Sequence, residues 1–212
     1  MAVLSLAVEA FRTLAGPVEA EIRERGSRFR ARAVPVAGRD DADAFFAEQV
    51  RLHRDATHVV PAVRLHDGTV WASDAGEPAG SAGPPMLQTL AGSGLDDVAA
   101  VVIRWYGGTN LGLGGLVRAY SGALALALAD AALREATLAL RLVVRYDHGQ
   151  TSPVLRTIAA FSGRDLDQTY DDAVTCTFSL PVESAARFRE ALRDATHGAL
   201  DATDAGITVI YT

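Results

Sequence analysis

Residues 98–120, VAAVVIRWYGGTNLGLGGLVRAY, contain the pattern that decides how the first half of this chain folds. The segment Val98–Tyr106 is almost continuously apolar, which is typical of a strand buried at the centre of a sheet. The alanine- and leucine-rich segment Leu116–Leu133 predicts a long helix with one face against that sheet. Five glycines lie between the two segments. The sequence therefore predicts a buried strand, a glycine-rich turn and a helix.

Shorter periodic segments predict further elements of the same unit. Apolar patterning indicates strands at Phe29–Val36 and Thr57–Leu65. Helical spacing of apolar residues indicates a helix at Asp41–Leu52, and a proline start indicates a short helix at Pro84–Leu90. Together these elements predict a mixed α/β domain over residues 1–134.

Residues 135–212 predict a second domain. Alternating apolar residues predict strands at Leu138–Val144, Arg164–Tyr170, Val174–Leu180 and Ile207–Tyr211, and helical spacing predicts helices at Thr151–Phe161 and Ala185–Ala195. The order β-α-β-β-α-β is that of the ferredoxin-like fold. The period of the third strand places Cys176 on its inward face, where a thiol fills core space.

Composition limits the classes of function. The chain has 212 residues, 49% hydrophobic and 22% charged, which fits two globular domains. A formal net charge of −6 excludes a strongly cationic nucleic-acid coat but leaves room for a local basic patch. Every basic residue is arginine, so a Walker A loop and lysine-based cofactor chemistry are excluded.

The single cysteine excludes a disulfide scaffold and fits a reducing cytoplasm. Residues 1–10 lack a basic region, so no secretory signal is expected. No apolar run is long enough to predict a membrane span, because Asp130 ends the one after Arg118. His53 and His58 are not at the helical spacing of a zinc pair, so we expect no metal, and nothing in the sequence predicts a cofactor.

The glycine-rich turn has two possible roles. A turn that leads from a buried strand into a helix points free backbone N–H groups and the positive helix end at one place, which suits an anion. Alternatively, the glycines only let the helix lie close to the sheet. The residues in question are Gly107, Gly108, Gly112, Gly114 and Gly115.

A second unusual loop covers residues 73–84 and contains Asp74, Glu77 and Gly80. Paired carboxylates can hold a divalent ion or perform acid–base chemistry. We favour the structural alternative, in which they cap turns or pair with an arginine such as Arg104. His58 opens the preceding strand and is predicted to point toward the glycine loops.

The same residues resemble a known family. The motifs are Ser27-Arg28-Phe29, His53 with Ala56-Thr57-His58, Ser73-Asp74 with Gly76-Glu77-Pro78, Gly80 with Ala82-Gly83, Arg104 with Tyr106-Gly107-Gly108, and Leu111-Gly112 with Gly114 to Tyr120. Over about residues 15–130 this combination resembles the YigZ/IMPACT family. The resemblance implies a first domain with the fold of ribosomal protein S-five domain two and a ferredoxin-like second domain. It also implies a cytoplasmic protein linked to translation.

Three functions remain open. The first is a module that binds RNA, nucleotide or ribosomal phosphate through the glycine loops, Arg28, Arg104 and Arg118, with His58, Asp74 and Glu77 beside them. Trp105 and Tyr106 are able to stack bases, although core packing is the favoured prediction for both. The second is an enzyme acting on a small phosphorylated or acidic substrate, with His58, Asp74 and Glu77 as acid–base candidates; no nucleophile–base pair is evident from the spacing, so no reaction is assigned. The third is a module that binds a translation-related protein.

Overall fold

The computed structural model describes residues 10–211, and its internal contacts divide the chain into two compact units that meet between Glu135 and Ala136. The expectation that residues 1–10 carry no secretory signal falls, except for Ala10, outside the described residues.

The first unit is a five-stranded antiparallel sheet covered by helices on both faces. Its elements are β1 (Ala10–Leu14), β2 (Val18–Glu24), β3 (Ser27–Pro35), α1 (Arg39–Leu52), β4 (His58–Arg64), β5 (Val70–Ala72), α2 (Gly83–Ser93), β6 (Val98–Trp105) and α3 (Gly112–Ala129). The strand order is β2-β3-β6-β4-β5, with β1 outside this sheet. The central position predicted for β6 is confirmed.

Burial on both faces explains the continuous apolar sequence of β6. Val98, Ala100 and Val102 pack into a core cluster under α2 and α3. Ala99 and Ile103 belong to a second cluster under α1. Because successive side chains of a strand point to opposite faces, only an uninterrupted apolar run fills both clusters. Arg104 continues the first set and therefore lies on the α3 side of the sheet.

The predicted helix Leu116–Leu133 is wrong at both ends. The helix begins earlier, at Gly112, and ends at Ala129, with Asp130 in a non-helical conformation. Low helix propensity of glycine argued for the later start, but packing of α3 on the sheet and on α2 overrides it. Three strands, β1, β2 and β5, have no counterpart in the prediction. In β2, half-buried residues alternate with exposed ones, and exposed Glu19, Glu21 and Arg23 mask the apolar period.

The second unit has the predicted ferredoxin-like order. Its elements are β7 (Leu133–Tyr146), α4 (Thr151–Ala160), β8 (Arg164–Tyr170), β9 (Val174–Pro181), α5 (Ala185–Ala195) and β10 (Thr203–Tyr211), with short 3-10 turns before α4 and α5. The strands lie in the antiparallel order β10-β7-β9-β8. Cys176 is fully buried among residues of β7, β9 and the two helices, as predicted.

α3 is long and apolar enough to cross a membrane by length and composition alone. The core helix of a folded unit passes the same test, and the inner face of α3 packs in the first core cluster through Leu116, Tyr120 and Leu124.

Candidate functional site

Glu77 lies at the centre of a buried polar cluster on the α3 side of the first unit's sheet. Its side chain is only 2% exposed. Oε1 accepts a hydrogen bond from Arg104 Nη1 at 2.7 Å and another from the Tyr120 hydroxyl, also at 2.7 Å. Glu77 therefore joins the loop 73–82 to β6 and α3. The predicted pairing of Glu77 with Arg104 is present.

This cluster holds its charges in fixed positions. A buried carboxylate is costly unless it is paired, and Arg104 supplies the opposite charge. Burial is the main cause that raises the pKa of the Tyr120 phenol, and the hydrogen bond to Glu77 raises it further, so Tyr120 remains a neutral donor. The Tyr120 ring also packs edge-on against Phe29, with centroids 5.2 Å apart. Glu77 and Arg104 neutralise each other, so neither is a free charge for a ligand.

His58 reaches the same cluster from the start of β4. Its Nδ1 lies 2.9 Å from the carbonyl oxygen of Ala75, so Nδ1–H donates to that oxygen. Its Nε2 then faces Glu77 Oε1 at 3.8 Å. The prediction that His58 points toward the loop containing Asp74 matches this geometry, and a hydrogen bond to the backbone fixes the ring.

Asp74 organises its own loop. Its Oδ2 accepts from the backbone N–H of Gly80 at 2.8 Å, and Oδ1 accepts from Ala82 and Gly83 at 3.0 and 2.9 Å. Burial raises the pKa of the Asp74 carboxyl, but the three amide hydrogen bonds outweigh it and leave the pKa below its usual value. Three main-chain donors of this loop are therefore occupied by the protein's own carboxylate.

The β6–α3 turn, residues 107–111, is different because it is open to solvent. Gly107 passes so close to the β2–β3 hairpin that a Cβ would overlap the backbone of Gly26, which explains the glycine. Gly108, Gly112 and Gly114 are exposed. Within residues 10–211, no side chain caps the N-terminus of α3.

Tyr106 lies at the start of this turn, and the residue is 45% exposed. The guanidinium of Arg104 lies 5.4 Å from the ring centroid on the inner side. The Tyr106 hydroxyl donates to Asn110 Oδ1 at 3.2 Å. The prediction of core packing is therefore wrong for Tyr106. Trp105 comes closer to the predicted core packing: it is half-buried against the α1-side cluster, and its indole N–H donates to Asp55 Oδ2 at 2.8 Å.

The predicted arginines are not brought to one place. Arg118 follows the first turn of α3, exposed, with a guanidinium nitrogen 3.5 Å from the position of a Cβ at Gly114. Arg28 pairs with Trp105 in the β3–β6 register, and its guanidinium lies 3.9 Å from the Trp105 ring centroid. Because Trp105 packs on the α1 side, Arg28 and Arg118 lie on opposite faces of the sheet.

The sequence prediction missed Tyr120 and Asn110. Tyr120 looks like an ordinary apolar position of α3, and its partner Glu77 is 43 residues away in sequence, so no local spacing connects them. Across residues 10–211, no group of three or more His, Cys, Asp or Glu side chains is arranged to hold a metal ion. The Glu77 cluster contacts the start of the turn through the Arg104 guanidinium, which lies against the Tyr106 ring, and the exposed turn leads into α3 near Arg118.

The fold and this cluster define a class: an α/β unit with a glycine-rich strand–helix turn, followed by a ferredoxin-like unit. The sequence model described as the Impact N-terminal domain matches residues 25–128. A second model, described as a domain of unknown function (DUF1949), matches residues 144–199. The chain belongs to the IMPACT family.

Relatives match either nearly the whole chain or about half of it. IMPACT family member YigZ from Escherichia coli (strain K12) is 34% identical over 198 residues, which are 91% of this chain and 97% of that protein. The "IMPACT family member in pol 5'region" of Thermus thermophilus is 46% identical over 105 residues, 48% of this chain and 55% of that protein. A solved structure described as "Crystal structure of an hypothetical protein" superposes with a TM-score of 0.72 at 32% identity and covers 92% of this chain and 97% of its own.

Proposed function

We propose that this chain is a cytoplasmic, translation-associated protein that binds single-stranded RNA at the end of the first unit's sheet. The binding surface consists of Tyr106, the turn 107–111, the start of α3 and Arg118, and it is called the turn surface below. The observation that carries the proposal is the exposed Tyr106 ring beside an uncapped helix N-terminus.

The turn surface offers the two contacts that single-stranded RNA uses. Bases stack on exposed aromatic rings, and a ring held in place by Arg104 and Asn110 loses little entropy when a base covers it. Phosphate groups bind to free backbone N–H groups at a helix N-terminus and to arginine. Arg118 makes no ion pair with any described residue, so its charge is free for a phosphate.

The local charge favours this assignment despite the acidic total. Glu77 is neutralised by Arg104 and lies buried. Asp74 is turned inward onto three backbone amides. The same contacts give both carboxylates structural roles, which leaves the enzyme alternative without an available acid or base from this pair.

Fluorescence anisotropy with a short, labelled single-stranded RNA of mixed sequence tests the proposal. Affinity is expected to fall steeply between about 50 and 200 mM salt, and Arg118→Gln is expected to reduce the slope of log affinity against log salt by about 0.7. Tyr106→Leu is expected to weaken binding by about 1–3 kcal/mol, the value of one stacked base. Salt-insensitive or absent binding contradicts the proposal.

Matched controls separate a specific effect from a general one. Arg51→Gln removes an exposed arginine from α1, and Tyr170→Leu removes a tyrosine that is 60% exposed in the second unit. Both are expected to leave RNA affinity unchanged. Arg28 and Arg39 each stack on a tryptophan, at 3.9 and 4.5 Å. Arg28 lies on the α1 side of the sheet, beside the turn surface. If bound RNA extends from the turn surface onto the α1 side, Arg28→Gln is expected to weaken RNA binding, and Arg39→Gln, the matched control, is expected to leave it unchanged.

A further inference from the structure

The sheet of the second unit has one face covered by helices and one face that carries polar side chains. Directly paired residues of antiparallel strands share a face. Leu142 pairs with Phe178, and both lie in the core under α4 and α5. The neighbouring positions, which point the other way, bring Arg141, Ser179 and Arg164 into one row across β7, β9 and β8.

Two further rows extend this face along the strands. Thr177 of β9 pairs with Asp167 of β8, and Thr175 pairs with Arg145 of β7. Arg141, Arg145 and Arg164 are exposed, and the two threonines are half-buried. We call this set the arginine face. It carries three positive charges against the single negative charge of Asp167.

The three arginines of the arginine face form no ion pairs within residues 10–211, unlike two of the arginines on the helix side. On the helix side, Arg189 pairs with Asp204 at 2.5 Å and Arg193 pairs with Asp201 at 3.1 Å. None of the three arginines of the arginine face forms an ion pair or a side-chain hydrogen bond with the described part of the chain. Unpaired, parallel arginines on a rigid sheet form a surface that is complementary to a polyanion.

The spacing and side-chain types select among polyanions. Arg141 and Arg164 are two strands apart, about 10 Å, and Arg141 and Arg145 are four residues apart, about 13 Å. No aromatic side chain occurs in the paired rows of the arginine face, so it offers no platform for an unstacked base. Threonine hydroxyls and arginines instead suit 2′-hydroxyls and phosphates across the shallow minor groove of an RNA helix.

We propose that the arginine face binds double-stranded RNA through its backbone, without sequence preference. This site lies in the second unit and does not depend on the turn surface, which is proposed for single-stranded RNA.

The test measures binding of the full chain to a blunt RNA duplex over a range of salt concentrations. In the triple variant R141Q/R145Q/R164Q, the salt slope is expected to fall by about 2–3, because each lost phosphate contact with a duplex removes about 0.9. Affinity near 0.1 M salt is expected to fall on the order of 10²-fold. The matched triple variant R156Q/R187Q/R193Q has the same charge change on the helix side and is expected to bind like wild type.

Two further arms fix the nature of the contact. The variant R141K/R145K/R164K keeps the charges and is expected to restore most of the slope. A DNA duplex of the same sequence is expected to bind at least several-fold more weakly, because it lacks 2′-hydroxyls.

The proposal is overturned if R141Q/R145Q/R164Q binds duplex RNA like wild type, or if its loss is matched by the helix-side triple variant. Equal binding of DNA and RNA duplexes overturns the assignment to RNA. The double variant Tyr106→Leu with Arg118→Gln separates the two proposals. It is expected to lose single-stranded RNA and retain the duplex, so either site can fail while the other stands.

Discussion

Replacing Asp74 by alanine is expected to destabilise the first unit strongly. The substitution removes the acceptor of three backbone N–H groups, those of Gly80, Ala82 and Gly83. Gly80 is exposed, so its N–H can bind water, whereas Ala82 and Gly83 are buried. Each unsatisfied buried donor costs about 1–3 kcal/mol, so we expect a loss of about 4 kcal/mol in the free energy of unfolding.

Urea unfolding followed by tryptophan fluorescence measures this loss. Trp71 and Trp105, the two tryptophans of the chain, both lie in the first unit, so the signal reports on that unit. With a slope of about 2 kcal/mol per molar urea, the midpoint is expected to fall by about 2 M. Asp67→Ala is the matched control because Asp67 accepts from one exposed amide, that of Thr69, at 2.8 Å. It is expected to cost less than about 1 kcal/mol.

The pH dependence provides a second readout of the same contact. Because the pKa of Asp74 is lowered in the folded state, its stabilisation is fully present above the unfolded-state pKa and disappears as pH falls through the folded-state pKa. The difference between wild type and Asp74→Ala is therefore expected to shrink below about pH 4. If Asp74→Ala lowers the free energy of unfolding at neutral pH no more than Asp67→Ala does, the role assigned to Asp74 is refuted. Asp74→Asn keeps one side-chain oxygen as an acceptor, so it is expected to destabilise the unit less than Asp74→Ala does.

Three further outcomes are expected. Glu77→Ala leaves the buried Arg104 charge unpaired and is expected to lower the free energy of unfolding in urea by about 3–5 kcal/mol. Tyr120→Phe removes one hydrogen bond to the Glu77 carboxylate and is expected to lower it by about 1.5–3 kcal/mol. Negligible losses for both variants contradict the structural role of the cluster. Gly107→Ala is expected to abolish or severely weaken folding of the first unit, measured by thermal melting, because its Cβ overlaps the hairpin backbone. Gly114→Ala, in the exposed first turn of α3, is expected to leave the melting temperature unchanged or raise it slightly, because alanine favours the helix more than glycine does. Burial raises the pKa of the Cys176 thiol to about 11. Because the thiol of the unfolded chain loses its proton at a lower pH, the free energy of unfolding is expected to fall as pH rises from about 9 toward 11. Rapid chemical labelling of the native thiol at neutral pH contradicts its burial.

The sequence predicts those helices and strands whose apolar residues recur with a clear period. The remaining strands and helix ends depend on packing between residues that are far apart in the sequence. The apolar run of β6 and the order of the second unit follow from residues close in sequence. β2 was missed because charged residues occupy its exposed positions. The start of α3 was placed too late because helix propensity does not include contacts with the sheet.

The candidate site shows the same limit. The sequence offers the Glu77–Arg104 pair as one way for a loop carboxylate to be neutralised, and the structure contains that pair. The three amides that bind Asp74 depend on the positive φ angles of Ala75, Gly76 and Gly80, which no propensity specifies. The separation of Arg28 from Arg118 depends on strand register, because one residue along β6 changes the face of the sheet.

The most direct test of the turn surface is a titration of glycine-labelled protein with single-stranded RNA, followed by ¹⁵N–¹H NMR. Gly107, Gly108, Gly112 and Gly114 lie in or beside the turn, whereas Gly198 lies in the second unit. The amide signals of the turn glycines are expected to shift progressively with RNA while that of Gly198 remains in place. Saturation of RNA binding with unchanged turn-glycine signals contradicts the proposed site.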